Sequence, residues 1–493
     1  MSQVPAAVGR EVSAAELPAA VGALLDQGWR LALGAAHDDG DVLRVVYVLL
    51  HTAPDRRAEL TVRLPADDPS LPTLAGVSYA AGRFEREMHD LFGLIPLDHP
   101  LPRRLVRHSH WPAGWYAMRH NAGPSPGFTA NEPFPFLTVQ GPGVYEIPVG
   151  PIHAGLIEPG HFRFSVVGET ILRLKARLWF VHRGVEKLFE GMAALDAAPM
   201  AERISGDTSA GHALAYCLAV EDALGLSVPE GGQRLRALVL ELERLYNHVA
   251  DLGGLANDVG YGVANAHAQR IRERLLRINA RVTGHRLLRE AIRPGAVSLE
   301  ALPLAAELDE IAADVAELAQ ITLSHSVVQE RFTGTAILTT ELARDLGCLG
   351  YVARSSGLSG DARVDHPFTP LPVTPVSRET GDVLARYEVR VEEFAASVVL
   401  IKTLLADSGS LSVRATASST AGAGHGLGVV EGWRGRIVHR VEIDEAGRLT
   451  RVKVVDPSWF NWPAVPLALR DTIVPDFPLT NKSFNLSYAG NDL

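Results

Sequence analysis

The sequence predicts an α+β protein in two parts: a small α+β domain, then a helix-rich domain with β elements at its start and end. Three observations along the 493 residues predict it. The first 64 residues hold short apolar runs of strand length. Residues 121–135 (NAGPSPGFTANEPFP) are dense in Gly, Pro and Asn, the composition of a linker or long surface connection. From His182 to about Ser326, apolar residues recur at helical spacing.

The elements follow in order. Strands are expected at 29–33, 42–50 and 60–64, and a helix over 71–91, where Arg86, Glu87 and Asp90 alternate with Phe84, Leu91 and Phe92. Residues 161–167 and 170–178 read as a strand pair bent at Gly168-Glu169. In the long helical stretch Glu243, Arg244, His248 and Asp251 mark a polar face, with Leu242, Leu245 and Val249 opposite. A helix over 302–323 carries Glu307, Asp309, Glu310, Asp314 and Glu317 on its wet side, and another spans 381–407. From Arg434 the pattern gives a strand pair bent near 444–447 and a Pro-rich end. That end has core-like content in Val465, Leu467, Leu469, Ile473, Val474 and Phe477.

Bulk composition narrows the class. Hydrophobic residues at 47% and charged residues at 21% suit a globular protein with a sizeable core. A net charge of -10 argues against a nucleic-acid partner. Cys217 and Cys348 are the two cysteines; two thiols cannot build a disulfide framework, a cubane cluster or a Cys-only nickel site. The first dozen residues show no signal pattern, and no run approaches the ~20 apolar residues of a membrane span. The chain reads as cytoplasmic and soluble by itself, which leaves docking onto a membrane complex open.

Several strings carry candidate chemistry. Glu85-Arg86-Glu87-Met88-His89-Asp90-Leu91-Phe92, followed by His99, Arg103 and Leu105, reads by itself as a solvated, ion-paired helix face. Val149-Gly150-Pro151-Ile152-His153, leading to Glu158-Pro159-Gly160-His161-Phe162, is a tight turn beside two imidazoles that titrate near neutral pH. His182-Arg183-Gly184-Val185-Glu186-Lys187 opens a helix with a capped first turn. The most informative string is Arg203-Ile204-Ser205-Gly206-Asp207-Thr208-Ser209-Ala210-Gly211-His212, whose distant companion is Asp456-Pro457-Ser458-Trp459-Phe460-Asn461. Cys217 lies in an apolar helical run and reads as a buried core thiol.

These strings together resemble the superfamily of complex I and the membrane-bound nickel–iron hydrogenases. The 85–105 string resembles the signature of the complex I C subunit, where its role is structural. The 149–162 stretch resembles the entry motif of D-type subunits and energy-converting hydrogenase large subunits. The 203–212 string resembles the hydrogenase pattern Arg-Ile-Cys-Gly-x-Cys-Ser-x-x-His, and 456–461 resembles Asp-Pro-Cys-x-x-Cys. Ser205, Thr208, Ser458 and Asn461 then stand where four thiolates bridge nickel and iron. Glu243-Arg244-Leu245-Tyr246-Asn247-His248, Ile292-Arg293-Pro294-Gly295, Arg354-Ser355-Ser356-Gly357 and Asp361-Ala362-Arg363 extend the resemblance over about residues 40–493. It is similar to fused C/D-type subunits and to the large subunits of the formate hydrogenlyase and hydrogenase-4 type.

The resemblance implies a C-subunit-like α+β domain over 1–125 and a D-subunit or hydrogenase large-subunit-like domain over 126–493. It implies a redox subunit, peripheral on the inner face of the cell membrane. Electrons would come from the iron–sulfur cluster of a small partner resembling the complex I B subunit, beside antiporter-like membrane subunits, and go to a quinone or other small acceptor. Neutral hydroxyl and amide oxygens are poor donors for a centre held by soft thiolates, so no cofactor is expected on this chain and nickel is unlikely there. The site residues it implies are Glu158 for proton transfer in a semi-dry cleft, Arg203 and His212 toward the cofactor, His153 in the quinone-pocket loop, and Asp456. The quinone-binding tyrosine of D subunits is matched by Gly206. Two rival readings stand: a hydrogenase whose metal is held otherwise, and a non-catalytic coupling subunit.

Overall fold

The computed structural model describes residues 8–52, 55–128, 134–154, 157–406, 409–415 and 422–493. The first part is built on a meander of three antiparallel strands, Arg30–Asp38, Val42–Thr52 and Asp55–Pro65, with Val8–Glu11 added parallel to the third. All three expected strands are present, each longer than its apolar run. The helix is shorter than the spacing predicts: it spans Tyr79–Phe92, and Ser78 caps it by accepting from the Ala81 N–H. Residues Ser70–Pro72 instead form a strand parallel to Ile95–Leu97. Leu71 and Leu74 are buried as a helix would bury them, which is why the period misleads.

The alternating charges of that helix do not form a solvated face. Glu85, Arg86, Glu87 and Asp90 are all buried. Glu85 accepts from Thr73 Oγ1 and the Leu74 N–H, and Arg86 donates to the carbonyls of Arg103 and Arg104. Asp90 accepts from the backbone N–H groups of Leu105, Val106 and Arg107. Glu87 takes the Lys453 ammonium at 2.7 Å. Each charge pins a different segment to the helix, and the second part of the chain covers what composition alone would leave wet.

The second part opens with the antiparallel sheet Val144–Val149, His161–Val167 and Thr170–Arg177. The expected strand pair and its bend are there; the 121–135 connection has no helix or strand in its described residues, and 129–133 lie outside them. Five long helices follow: Ser209–Leu224, Glu230–Asp258, Gly262–Thr283, Ala305–Ser324 and Val383–Ala406. The short strands Ile292–Arg293 and Ala296–Ser298 interrupt the helical stretch. The Glu230–Asp258 helix is central, so its polar face is not wet: Glu243, Arg244, His248 and Asp251 are as buried as Leu242, Leu245 and Val249. The Ala305–Ser324 helix is peripheral, and there Asp309, Glu310 and Glu317 are exposed as expected.

A three-stranded antiparallel sheet, Gly424–Gly432, Gly435–Ile443 and Leu449–Val455, closes the chain's core. Its first strand goes unpredicted, because glycines mask its alternation. Those glycines let the Ser209–Leu224 helix cross close by: a Cβ at Gly428 would lie 1.9 Å from the Ala215 carbonyl oxygen, and one at Gly426 2.2 Å from that of Ala219. The Pro-rich end folds into short helices, among them Pro457–Asn461, Phe477–Phe484 and Tyr488–Asp492. Val465 and Leu469 enter the core, whereas Ile473 is exposed.

The two parts are joined face to face. Arg44 pairs with Glu442 at 2.8 Å, Arg440 with Glu59 at 2.7 Å, and the Phe84 and Trp459 rings stack at 4.8 Å. Among the described residues no helix is long and apolar enough to cross a membrane.

Candidate functional site

Residues 203–208 turn between the short helix Ala198–Ala201 and the Ser209–Leu224 helix, with the Thr208 N–H bonded to the Ser205 carbonyl. The turn buries Ser205 and Thr208 and leaves Gly206 exposed. Facing it, Asp456 caps the Pro457–Asn461 helix by accepting from the Ser458 N–H at 2.7 Å. The two segments meet at Ser487. Its hydroxyl lies 2.8 Å from Ser205 Oγ, and its N–H donates to Ser458 Oγ at 2.9 Å.

Thr208 is held as firmly. Its hydroxyl donates to Asp207 at 3.0 Å and accepts from Trp433 Nε1 and from the Arg434 guanidinium. The Asn461 carboxamide is closed onto the backbone of Leu349, accepting from its N–H at 2.8 Å and donating to its carbonyl at 3.1 Å. All four oxygen-bearing side chains therefore converge on one region, and each is satisfied by the protein itself.

The charges around them have clear causes. Burial would raise the Asp207 carboxyl, but the bidentate Arg434 contact at 2.6 and 2.7 Å holds it at about 2. The Asp207 side chain is still 39% exposed, and an added Cβ at Gly206 would meet nothing within 4 Å. The turn is thus open to solvent at 206–207 and closed behind. Deeper in, Asp456 lies 3.0 Å from His212 Nε2, and His212 Nδ1 lies 3.0 Å from His439 Nε2. Burial pushes His439 well below the usual imidazole range, so this ring is neutral at pH 7. Glu243 accepts from the Ala210 and Gly211 N–H groups, yet full burial pushes its carboxyl up to about 8.

Such an arrangement can exchange protons through hydroxyls, a carboxylate and imidazoles. Burial pushes the Cys217 thiol well up and the Cys348 thiol to about 12, so neither is a ready thiolate. Among the described residues no three His, Cys, Asp or Glu side chains are grouped as metal ligands.

The expected residues divide in two. His212 and Asp456 are in the buried centre, joined to each other. Arg203 is exposed and donates to the Pro199 carbonyl at 2.5 Å. Glu158 is exposed rather than held in a semi-dry cleft, and it accepts from the Ala489 N–H at 3.0 Å. The reason is local: Gly160 packs under the Tyr488 ring, so the turn lies over that ring and its carboxylate falls at the edge. His153 bonds the Gly160 carbonyl and His161 the Gly150 carbonyl, so both imidazoles lace the described ends of their loop. Residues 155–156 of that loop lie outside the described residues. Sequence reasoning misses Asp207 as an ion-pair partner, and with it Arg434, Trp433, Ser487, His439 and Glu243. Asp207 sits inside the most informative string and Glu243 in the 243–248 string, where it reads as part of a polar helix face; the others come from distant segments and carry no local signal.

Comparison with known proteins covers nearly the whole chain. Residues 10–123 match the family of the respiratory-chain NADH dehydrogenase 30 kDa subunit, residues 183–255 that of nickel-dependent hydrogenases, and residues 258–421 that of the NADH dehydrogenase 49 kDa subunit. Formate hydrogenlyase subunit 5 of Escherichia coli (strain K12) is 31% identical over 464 residues, which is 91% of this chain and 81% of that protein. Hydrogenase-4 component G of the same organism is 32% identical, over 87% of this chain and 76% of its own. The fused C/D subunit of the NADH-quinone oxidoreductase of Phocaeicola vulgatus is 29% identical, over 74% and 75%. A chain in the structure of the membrane-bound sulfane sulfur reductase, an archaeal respiratory membrane complex, superposes with a TM-score of 0.65 at 24% identity, over 71% of this chain and 99% of that one. That last likeness is one of fold.

Proposed function

This chain belongs to the family of fused complex I 30 kDa/49 kDa (C/D) subunits that takes in formate hydrogenlyase subunit 5 and hydrogenase-4 component G, and from that premise we propose that it is the oxidoreductase subunit at which the electron path of a membrane-associated complex ends, on a quinone or another small acceptor, without a nickel centre of its own. The observation that carries this is the form of the 203–208 turn. It is open at Gly206 and Asp207, and behind the opening lie the hydroxyls of Ser205 and Thr208, Asp207 and the Asp456–His212–His439 chain.

The donor set does not suit nickel. Ser205, Thr208, Ser458 and Asn461 offer neutral oxygens, and each is already engaged within the protein. It does suit a reaction that needs protons at one end. Reduction of a quinone takes two electrons and two protons; the electrons would arrive from the iron–sulfur cluster of a small partner protein, for which the exposed Arg203 is a docking and tuning group. Protons would enter from solvent at the open side of the turn and pass through the Ser205 and Thr208 hydroxyls, which the ionised Asp207 orients. Glu158, at the surface beside Ala489, would serve entry rather than the final transfer. The partners proposed are that iron–sulfur protein and membrane subunits of the antiporter type, with this chain peripheral on the inner face.

One observation favours a second reading, a non-catalytic coupling role: the Ser205 and Ser487 hydroxyls bond each other and the Ser458 hydroxyl accepts from the Ser487 N–H, so these groups are engaged within the protein. The two separate on the purified complex. Gly206→Tyr fills the mouth and Arg203→Met removes the surface cation. If the chain ends the electron path, Gly206→Tyr changes quinone-reductase turnover and Arg203→Met lowers the partner cluster's potential in an electron paramagnetic resonance titration. Turnover and potential unmoved in both variants, with assembly intact, would select the coupling reading. Stoichiometric nickel by elemental analysis would overturn the nickel-free centre.

A further inference from the structure

A cavity of about 310 Å³ lies between the two parts of the chain, away from the 203–208 turn. Its walls come from the Tyr79–Phe92 helix, the 101–105 segment, the Thr170–Arg177 strand and residues 462–467. Arg83, Arg86, Arg103, Arg173 and Arg177 line it, and no carboxylate does. Among the described residues none of these five arginines has a carboxylate within 4.0 Å; the Lys175 ammonium, also in the wall, is paired with Glu146. The chain as a whole carries a charge of -10, so this concentration of positive charge runs against the protein's own balance.

Four of these guanidinium groups, all but that of Arg173, are held in place without being neutralised. Arg177 donates to the carbonyls of Leu105 and Arg107, Arg86 to those of Arg103 and Arg104, and Arg83 to that of Trp459. Arg177 also lies over the Phe134 ring at 4.7 Å, and Arg83 over the Trp459 ring at 4.5 Å. Carbonyls and ring faces orient a cation but leave its full charge. The buried Nε groups of Arg177 and Arg103 have no hydrogen-bond partner among the described residues. Burial, and then the neighbouring arginines, pulls Arg86 down to about 10; Arg177 falls to the same value, chiefly through burial. Buried charge without a counter-charge is costly in a native protein, and the usual resolution is a partner.

We infer that this cavity is a binding site for a small phosphate-bearing ligand, held by Arg83, Arg86, Arg103, Arg173 and Arg177. Guanidinium forks match phosphate oxygens bidentately, and several converging on one space is the geometry of an oligo-anion site rather than of a single ion pair. The volume falls at the lower end of the range of small-ligand pockets. Apolar walls from Leu101, Leu178 and Trp462 leave room for a non-polar portion of the ligand. A soluble nucleotide and a phospholipid headgroup both present this chemistry.

The test uses the full chain at low ionic strength, titrated calorimetrically with inorganic pyrophosphate, with ADP, and with phosphatidylglycerol vesicles against phosphatidylcholine vesicles. Pyrophosphate binds with a dissociation constant below about 1 mM, a value that needs only about 4 kcal/mol. Binding weakens roughly tenfold in Arg173→Gln and again in Arg103→Gln, the loss expected for one charged hydrogen bond. Arg173 is exposed and makes no hydrogen bond among the described residues, so its variant tests the site without testing the fold. Tighter binding of ADP than of pyrophosphate identifies a soluble ligand; binding to phosphatidylglycerol vesicles alone identifies a headgroup. No binding of any probe, or equal affinity in both variants, overturns the inference. So does a result in which the variants fail only to retain a partner protein on purification of the complex, because the cavity is then a protein docking surface.

Discussion

Two groups of arginines in this molecule are handled in opposite ways. Beside the Glu230–Asp258 helix, Arg244, Arg354 and Arg363 are interleaved with Glu241, Asp361, Glu393 and Glu431. Arg354 reaches Glu393 and Glu431 at 2.7 Å each, and Arg363 reaches Asp361 at 2.7 Å and Glu241 at 3.1 Å. His248 completes the group at 2.9 Å from Glu393. In the cavity between the two parts, Arg83, Arg86, Arg103 and Arg177 meet carbonyls, ring faces and the Asn491 carboxamide, and none of the five arginines there meets a carboxylate within 4.0 Å among the described residues. A network closed on itself can position helices and nothing more, since it has no unmet charge to offer. An unclosed one can pin backbone, as Arg86 and Arg177 do, and still has charge to offer for recognition. The contrast separates charges that are met by counter-charges from charges that are left with none.

The largest expected effect comes from opening the closed network. Arg354→Met leaves three carboxylates short of a counter-charge in a dry interior and should cost about 3–5 kcal/mol, read by urea denaturation. A loss under about 1 kcal/mol would mean that water reaches the network and that the contrast with the cavity is false.

The next effect is in pH. The Glu243 carboxyl is raised by burial from 4.5 to about 8. The folded state therefore holds this proton more tightly than the unfolded state does. Its contribution to stability is complete below pH 4.5 and is lost as pH rises through 8, on the order of 3 kcal/mol between pH 5 and 8. Melting temperature followed over that window should fall with pH more steeply in wild type than in Glu243→Gln, which has no proton to lose. Parallel curves would show that Glu243 is ionised throughout.

A smaller loss is expected at the mouth of the 203–208 turn. Asp207→Asn removes one bidentate charged contact from Arg434. Because the Asp207 side chain is partly exposed, the expected cost is about 1–2 kcal/mol rather than the full value of a buried pair. Its effect on turnover in the assembled complex should be larger than its effect on stability. Equal proportional loss of both would make Asp207 a structural residue.

The smallest effect sharpens the comparison from the other side. In the ligand-free chain Arg103→Gln removes a cation that faces other cations, an aromatic ring and, at 3.4 Å, the Pro135 carbonyl, so stability should stay within about 0.5 kcal/mol of wild type or rise. A destabilisation comparable to that of Arg354→Met would place the cavity arginines with the architectural ones.

Much of the fold is legible in the chain. The strands of the first sheet, the hairpin at Gly168-Glu169 and the helices at 305–324 and 383–406 follow period and punctuation, and those need no neighbour to read. Leu71–Pro72 misleads because two buried leucines three residues apart fit a strand leading into a turn as well as a helix. Gly424–Gly432 is invisible because its pattern serves an approaching helix rather than a pleat. Of the candidate site, Asp456 and His212 as members and the convergence of the two serine-bearing strings are readable through the family resemblance of those strings; that Asp456 and His212 bond each other is not. Arg434, Ser487 and His439 are not, because each reaches the site from more than 200 residues along the chain from the turn it supports.

By itself the sequence determined the order and type of most elements, the family, and the presence of oxygen donors rather than thiols at Ser205, Thr208, Ser458 and Asn461. These are properties of residue identity and local spacing. Tertiary structure alone decided which charges are dry. The same alternation of Glu and Arg reads as a wet helix face at Glu85–Asp90 and at Glu243–Asp251, yet both are buried, while on the Ala305–Ser324 helix Asp309, Glu310 and Glu317 are indeed exposed and Glu307 and Asp314 half-buried. Charge patterning on a helix depends on what packs against it. Burial follows from the position of a helix among the others, and pairing follows from which distant side chain that position brings within 4 Å. Neither quantity has a period, so no window along the chain contains it.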